Sequence, residues 1–102
     1  MGYRFRALLR EHTGPAAWYF LTLPHDVTDE IDERTASTQR GFGSVRVRVT
    51  VGATTWATSI FPDTKAGAYV LPMKKAVRPA EDLDDGDEVD VMLELVDPVE
   101  PF

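Results

Sequence analysis

Cysteine is absent from the 102 residues, which excludes a disulfide framework, a thiolate nucleophile and a cysteine-ligated zinc. Histidine is nearly absent: His12 and His25 are the only two, too few for a histidine-rich metal site, and no cofactor is expected. No apolar run approaches the roughly 20 residues that span a bilayer. The opening Met1-Gly2-Tyr3-Arg4 lacks the apolar stretch of a signal peptide, and Arg6 stands where a myristoylation signal needs Ser or Thr. The expectation is a cytoplasmic protein with no membrane contact. Positive charge is scarce too. Eleven Lys and Arg face 17 Asp and Glu, a formal net charge of -6, and this disfavours nucleic acid because phosphate neutralisation needs surplus cations. No G-x-S-x-G elbow surrounds Ser59, and no acid and base stand at a recognisable spacing. No reaction is legible, and an enzyme is not expected.

What is present is alternation. A hydrophobic share of 43% over this length fits one domain with one core, taken here as residues 1–96 with a loose tail over 97–102. Tyr3 to Arg10 alternates with period two, a half-buried strand. His12 to Pro15 has turn chemistry, and Ala16 to Leu23 reads as a largely buried second strand, with Trp18 and Phe20 as packing residues. Val27 and Ile31 sit four apart behind the acidic Asp29 and Glu30, which predicts a short helix within 24–35. A loop over 36–43 leads to Ser44–Val51, where Val45, Val47, Val49 and Val51 share one face and Arg46, Arg48 and Thr50 the other. Gly52-Ala53 turns the chain into Thr54–Phe61, with Trp56 on one face and Ser59 on the opposite one. A loop over 62–67 precedes a strand over 68–73 that Pro72 interrupts. A short helix is shortened further by Pro79, which lacks the N–H that a helix interior needs. After a Gly86-Asp87 turn, Val89, Val91, Leu93 and Leu95 alternate in a last strand.

Strand, proline, short helix, glycine and strand thus occur twice. Two such units with hairpin partners predict an all-β fold: a closed barrel of about six or seven strands with two short helices and internal pseudo-two-fold symmetry, which leaves no edge strand open.

The ordered set A-W-Y-F-L-T-L-P, G-x-G-S-V-R-V-R-V, W-A-T-S-I-F-P-D, G-A-Y-V-L-P-M-K-K-A-V-R and G-D-E-V resembles the DUF1905 family, over roughly Tyr3 to Leu95. The resemblance implies a double-split β-barrel and no established activity. The second unit, L-P-M-K-K-A-V-R followed by L-D-D-G-D-E-V, also looks like the half-motif of AbrB/MazE proteins, which bind DNA or toxins as dimers. Both halves lie in one chain here, so closing the barrel does not require a dimer. A monomer or weak homodimer is expected.

Two groups of residues are candidates for a ligand site. Lys65, Lys74, Lys75 and Arg78, with Arg46, concentrate positive charge in an acidic chain. They suit a small anion or peptide, or equally a solvated face that balances the acidic run over 81–90. Trp56, Ser59 and Tyr69 mix aromatic surface with hydroxyls, as a pocket does and as a barrel core does. The solvated face and the core are the more frequent outcomes. His12 and His25 are expected as exposed loop histidines. Asp84-Asp85-Gly86-Asp87 lacks the twelve-residue spacing of a calcium loop and reads as a tight turn. The functional expectation is a non-enzymatic binding module for a small anion or a peptide. The alternative is an AbrB-like regulator that contacts nucleic acid or a partner protein.

Overall fold

The computed structural model describes residues 2–12, 18–35 and 43–96. Six strands appear in chain order: β1 (Gly2–His12), β2 (Trp18–Thr22), β3 (Val45–Val51), β4 (Thr54–Asp63), β5 (Ala68–Met73) and β6 (Glu88–Leu95). Helix α1 (His25–Thr35) lies between β2 and β3, and α2 (Val77–Ala80) between β5 and β6. Every neighbouring pair is antiparallel, and the strands close in the order β1-β2-β5-β4-β3-β6. The expected turn at 13–15, most of the loop over 36–43 and the tail over 97–102 lie outside the described residues.

The ring is unchanged when β1, β2 and β3 exchange places with β4, β5 and β6. The register obeys the same exchange. Leu21 faces Leu71 and Thr50 faces Met92 across the two central pairs. A rotation that swaps those partners carries Phe5, opposite Val91, onto Trp56, opposite Val49. It also carries Tyr3, opposite Leu93, onto Thr54, opposite Val51. The pseudo-two-fold axis therefore passes through β2–β5 on one side and β3–β6 on the other.

The period-two pattern sets which side chains enter. Leu9, Leu21, Val47, Val49, Ile60, Leu71, Val91 and Leu93 are fully buried, while Arg46 and Arg48 are exposed between the valines. Val27 and Ile31 bring one face of α1 into the same core, and Val77 does so for α2. Thr28 is also buried; its hydroxyl accepts the Tyr69 N–H at 3.3 Å and so ties α1 to β5. Pro79 is tolerated because α2 has only four residues, so its missing N–H belongs to the first turn, where no helical partner exists.

Four expectations need correction. Trp18 is 41% exposed and Phe20 only half-buried, because both occupy outward positions of β2. The unbroken apolar run hid that alternation. His12 ends β1 and His25 begins α1, so neither lies in a loop. Strand β4 continues through Pro62 to Asp63, where Pro62 faces Tyr69. Strand β5 runs over Ala68–Met73 without the interruption expected at Pro72. Pairing of β4 with β5 stops at Val70, so Pro72 withdraws no hydrogen bond from that side.

The run over 84–87 is a turn built on its own carboxylates. Asp85 accepts the Glu11 N–H at 2.8 Å and Asp87 that of Asp84 at 2.8 Å. The Gly86 N–H donates to the Leu9 carbonyl and the Leu9 N–H to that of Asp87, which extends the β1–β6 ladder.

On the outer face, Arg4 makes a two-pronged contact with Asp90, through Nε at 3.3 Å and Nη2 at 3.0 Å. This hydrogen bond is the main cause that holds the Asp90 carboxyl below the ordinary carboxylate range, and it raises Arg4. A depressed carboxyl stabilises the fold above its unfolded pKa of about 3.9 and loses that contribution as pH falls through the lower folded value. Both side chains are exposed, so the effect is small. Thermal melts from neutral to acid pH are expected to show Asp90→Asn slightly below the parent near pH 7, with the difference vanishing in acid. A difference that persists or grows in acid contradicts the assignment.

Candidate ligand-binding surface

The outer face of β1, β2 and β5 carries a row of rings. Cross-strand pairing sets His12 opposite Trp18, and Arg10 opposite Phe20, which in turn faces Pro72. The Trp18 and Phe20 rings lie 5.0 Å apart, tilted by 37°, and the His12 and Trp18 rings 5.7 Å apart, tilted by 50°. These separations are typical of favourable aromatic pairs. Phe61 is also exposed, on β4 opposite the buried Val70 of β5. Contiguous exposed apolar surface of this kind marks interaction sites in small proteins.

The basic turn adjoins this row. Tyr19 faces Met73 at the end of β5, so the next residue, Lys74, leaves the sheet beside Trp18. Lys74 and Lys75 are exposed. Among the described residues the ion pairs are Arg4–Asp90 and Arg6–Glu88, so neither lysine is in one. Arg78 is half-buried, with its guanidinium carbon 3.6 Å from the centre of the Tyr19 ring. That cation–π contact fastens α2 to the barrel mouth.

The eight residues singled out in the sequence separate into four places. Lys74, Lys75 and Arg78 gather at the α2 end. Lys65 sits in the β4–β5 turn, where its N–H donates to Asp63 at 3.0 Å. The six residues of β5, at about 3.3 Å each, put Lys65 about 20 Å from Lys74. One small anion therefore does not bridge them, and the expected single cluster of four cations does not form. Arg46 and Ser59 face each other on the outer side of β3–β4. Trp56 points the opposite way into the core, 9% exposed, and with Tyr69 belongs to the interior. Tyr69 is buried at the α1 end and donates its hydroxyl to Asp32. It lines a cleft of about 180 Å³ with Thr28, Asp32, Pro62, Asp63 and Thr64. That cleft is acidic and small for an organic ligand.

Sequence reasoning missed Arg10, His12, Trp18 and Phe20 as a group. The signal was present: the outward parity of β1 and a short hairpin place His12 against Trp18.

No helix among the described residues is long and apolar enough to cross a membrane. No curated protein matches the sequence. A family model described as Domain of unknown function (DUF1905) matches residues 5–93.

Proposed function

This chain belongs to the DUF1905 family, whose description carries no activity, and from that premise we propose that it is a cytoplasmic, non-enzymatic binding module for an anion on a flat or apolar body. A small aromatic carboxylate or an acidic peptide has this chemistry. One observation carries the reading: a pair of contacting rings, the exposed Trp18 and the half-buried Phe20, stands beside the basic turn of Lys74 and Lys75. The rings take the apolar body. The lysines supply mobile point charges for the carboxylate. Arg78, already packed on Tyr19, holds the turn. The barrel closes within one chain, which supports a monomer or weak homodimer.

The tryptophans provide the test. Trp18 is exposed and Trp56 is buried, so phenylacetate binding at this surface changes the fluorescence of Trp18 alone. Joint Lys74→Ala and Lys75→Ala substitution removes two exposed ion pairs to the bound carboxylate, each worth up to ~1 kcal/mol, an affinity loss of up to about thirtyfold, with the melting temperature nearly unchanged. If neither phenylacetate nor an acidic peptide alters Trp18 at millimolar concentration, the reading fails.

The same observation favours a second reading, the AbrB-like regulator, because rings interleaved with cations also form platforms for single-stranded nucleic acid. The net charge of -6 opposes it. Oligothymidylate is therefore expected to bind no better than phenylacetate. A tight complex that weakens steeply with added salt reverses the order of the two readings.

A further inference from the structure

The chain beyond β6 reads Asp97-Pro98-Val99-Glu100-Pro101-Phe102. It carries two prolines three apart, two carboxylates three apart and no cation. Proline fixes its own φ and pushes the residue before it toward extended backbone, so this sequence favours a polyproline II helix. Such a helix turns once in three residues, a rise of about 9 Å. That period sorts the segment into three edges. Asp97 and Glu100 share one, Pro98 and Pro101 the second, Val99 and Phe102 the third.

The Trp18 surface has the matching chemistry. Pro-x-x-Pro segments dock on aromatic side chains, and their preformed backbone loses little entropy on binding. Here the exposed Trp18 and the half-buried Phe20 supply the rings, 5.0 Å apart. Cations flank them on both sides. Arg10 stands opposite Phe20 on β1, and Lys74 and Lys75 follow the end of β5. All three are exposed, and the ion pairs among the described residues, Arg4–Asp90 and Arg6–Glu88, involve none of them. An acidic proline segment fits this surface, with its prolines on the rings and its carboxylates toward the cations.

Reach decides whose segment it is. Gly2 pairs with Glu94, so β6 ends at the Gly2 end of β1, where the Val96 N–H donates to the Arg46 carbonyl at 3.1 Å. Trp18 pairs with His12, at the other end of the 11-residue β1. That strand extends about 33 Å at about 3.3 Å per residue, whereas six residues reach at most about 22 Å. The segment falls short of its own Trp18.

We propose that residues 97–102 of one copy dock on the Trp18 surface of a second copy. This rests on the reading of that surface as a site for an anion on an apolar body, and it names the occupant. A six-residue contact is smaller than the interfaces of stable complexes, so the self-association is weak. Its exposed ion pairs make it sensitive to salt.

Sedimentation of the full chain tests the assignment. The parent is expected to self-associate at millimolar concentration, and phenylacetate to reverse this by competing for Trp18. Two charge-reversed proteins give the sharper comparison. One carries Asp97→Lys and Glu100→Lys, the other Lys74→Glu and Lys75→Glu. Each alone is expected to associate at least about thirtyfold more weakly, because two ion pairs become repulsions. An equimolar mixture is expected to regain the association, since each segment then meets opposite charge on the other protein. Joint Pro98→Ala and Pro101→Ala substitution keeps the charge and is expected to weaken association severalfold, through lost preorganisation. A parent that stays monomeric at millimolar concentration, or a mixture that associates no better than its components, overturns the proposal. If phenylacetate still alters Trp18 in that case, the surface takes anions but not this segment, and only the occupant is wrong. If phenylacetate is silent as well, the reading of the surface falls with it.

Discussion

Val47→Asp is expected to leave no folded protein at room temperature. Val47 is fully buried on β3, between Thr58 of β4 and Leu95 of β6. No cation shares its face, because the arginines of β3 point outward. A carboxylate there either ionises without a partner or stays protonated with its hydrogen bonds unmade. Either state costs several kcal/mol, comparable to the roughly 5–15 kcal/mol that stabilise a domain of this kind. The barrel has no alternative register that rescues it, because a one-residue slip of β3 brings Arg46 and Arg48 inside. Arg46→Ala, one position away on the outer face, is the control and is expected to stay within about 0.5 kcal/mol of the parent. Chemical denaturation followed by tryptophan fluorescence checks both. A Val47→Asp protein with a parental transition refutes the face assignment of β3.

Gly52→Ala is expected to cost about 2.5–5 kcal/mol, which combines two separable effects. Gly52 sits in the β3–β4 turn at φ +58°, a conformation that costs an L-residue about 1–2 kcal/mol. An added Cβ also lies 1.9 Å from Glu81 Oε1 and 2.8 Å from its Cδ, so the carboxylate must withdraw. Its withdrawal breaks the 2.7 Å bond from the Thr54 hydroxyl, worth about 1.5–3 kcal/mol for an acceptor that is charged. A domain of this size is expected to lose about 10 °C or more in melting temperature. A double-mutant cycle separates the two effects. In a Glu81→Ala background the clash and the lost bond are already absent, so Gly52→Ala should cost only the backbone part. The two substitutions are then less than additive. Strict additivity shows that Glu81 does not sit over this turn.

The barrel was largely legible because alternation leaves little choice. Val45 to Val51 and Val89 to Leu93 each bury every second residue, and a strand with one apolar face has one way to lie. The misreadings came where both faces of a strand are apolar. In Trp18-Tyr19-Phe20-Leu21, periodicity carries no sign, and only pairing with β1 shows that Trp18 and Phe20 face out. The candidate site was half legible. Lys74, Lys75 and Arg78 are near in sequence and remain near in space. Lys65 looked equally close, but the six residues of the extended strand β5 separate it from Lys74, whereas a helix would have folded them back.

Composition and period by themselves determined the fold class, the inward faces, the two short helices and the repeat. These follow from local chemistry: side-chain parity, turn residues and proline's missing N–H. Tertiary structure alone decided which cations share a surface, that Thr54 finds Glu81, and that its symmetry mate Tyr3 finds no hydrogen-bond partner among the described residues. Those outcomes depend on register between strands distant in the chain. The pattern of a single strand fixes which face turns inward, but it does not fix which neighbour that face meets.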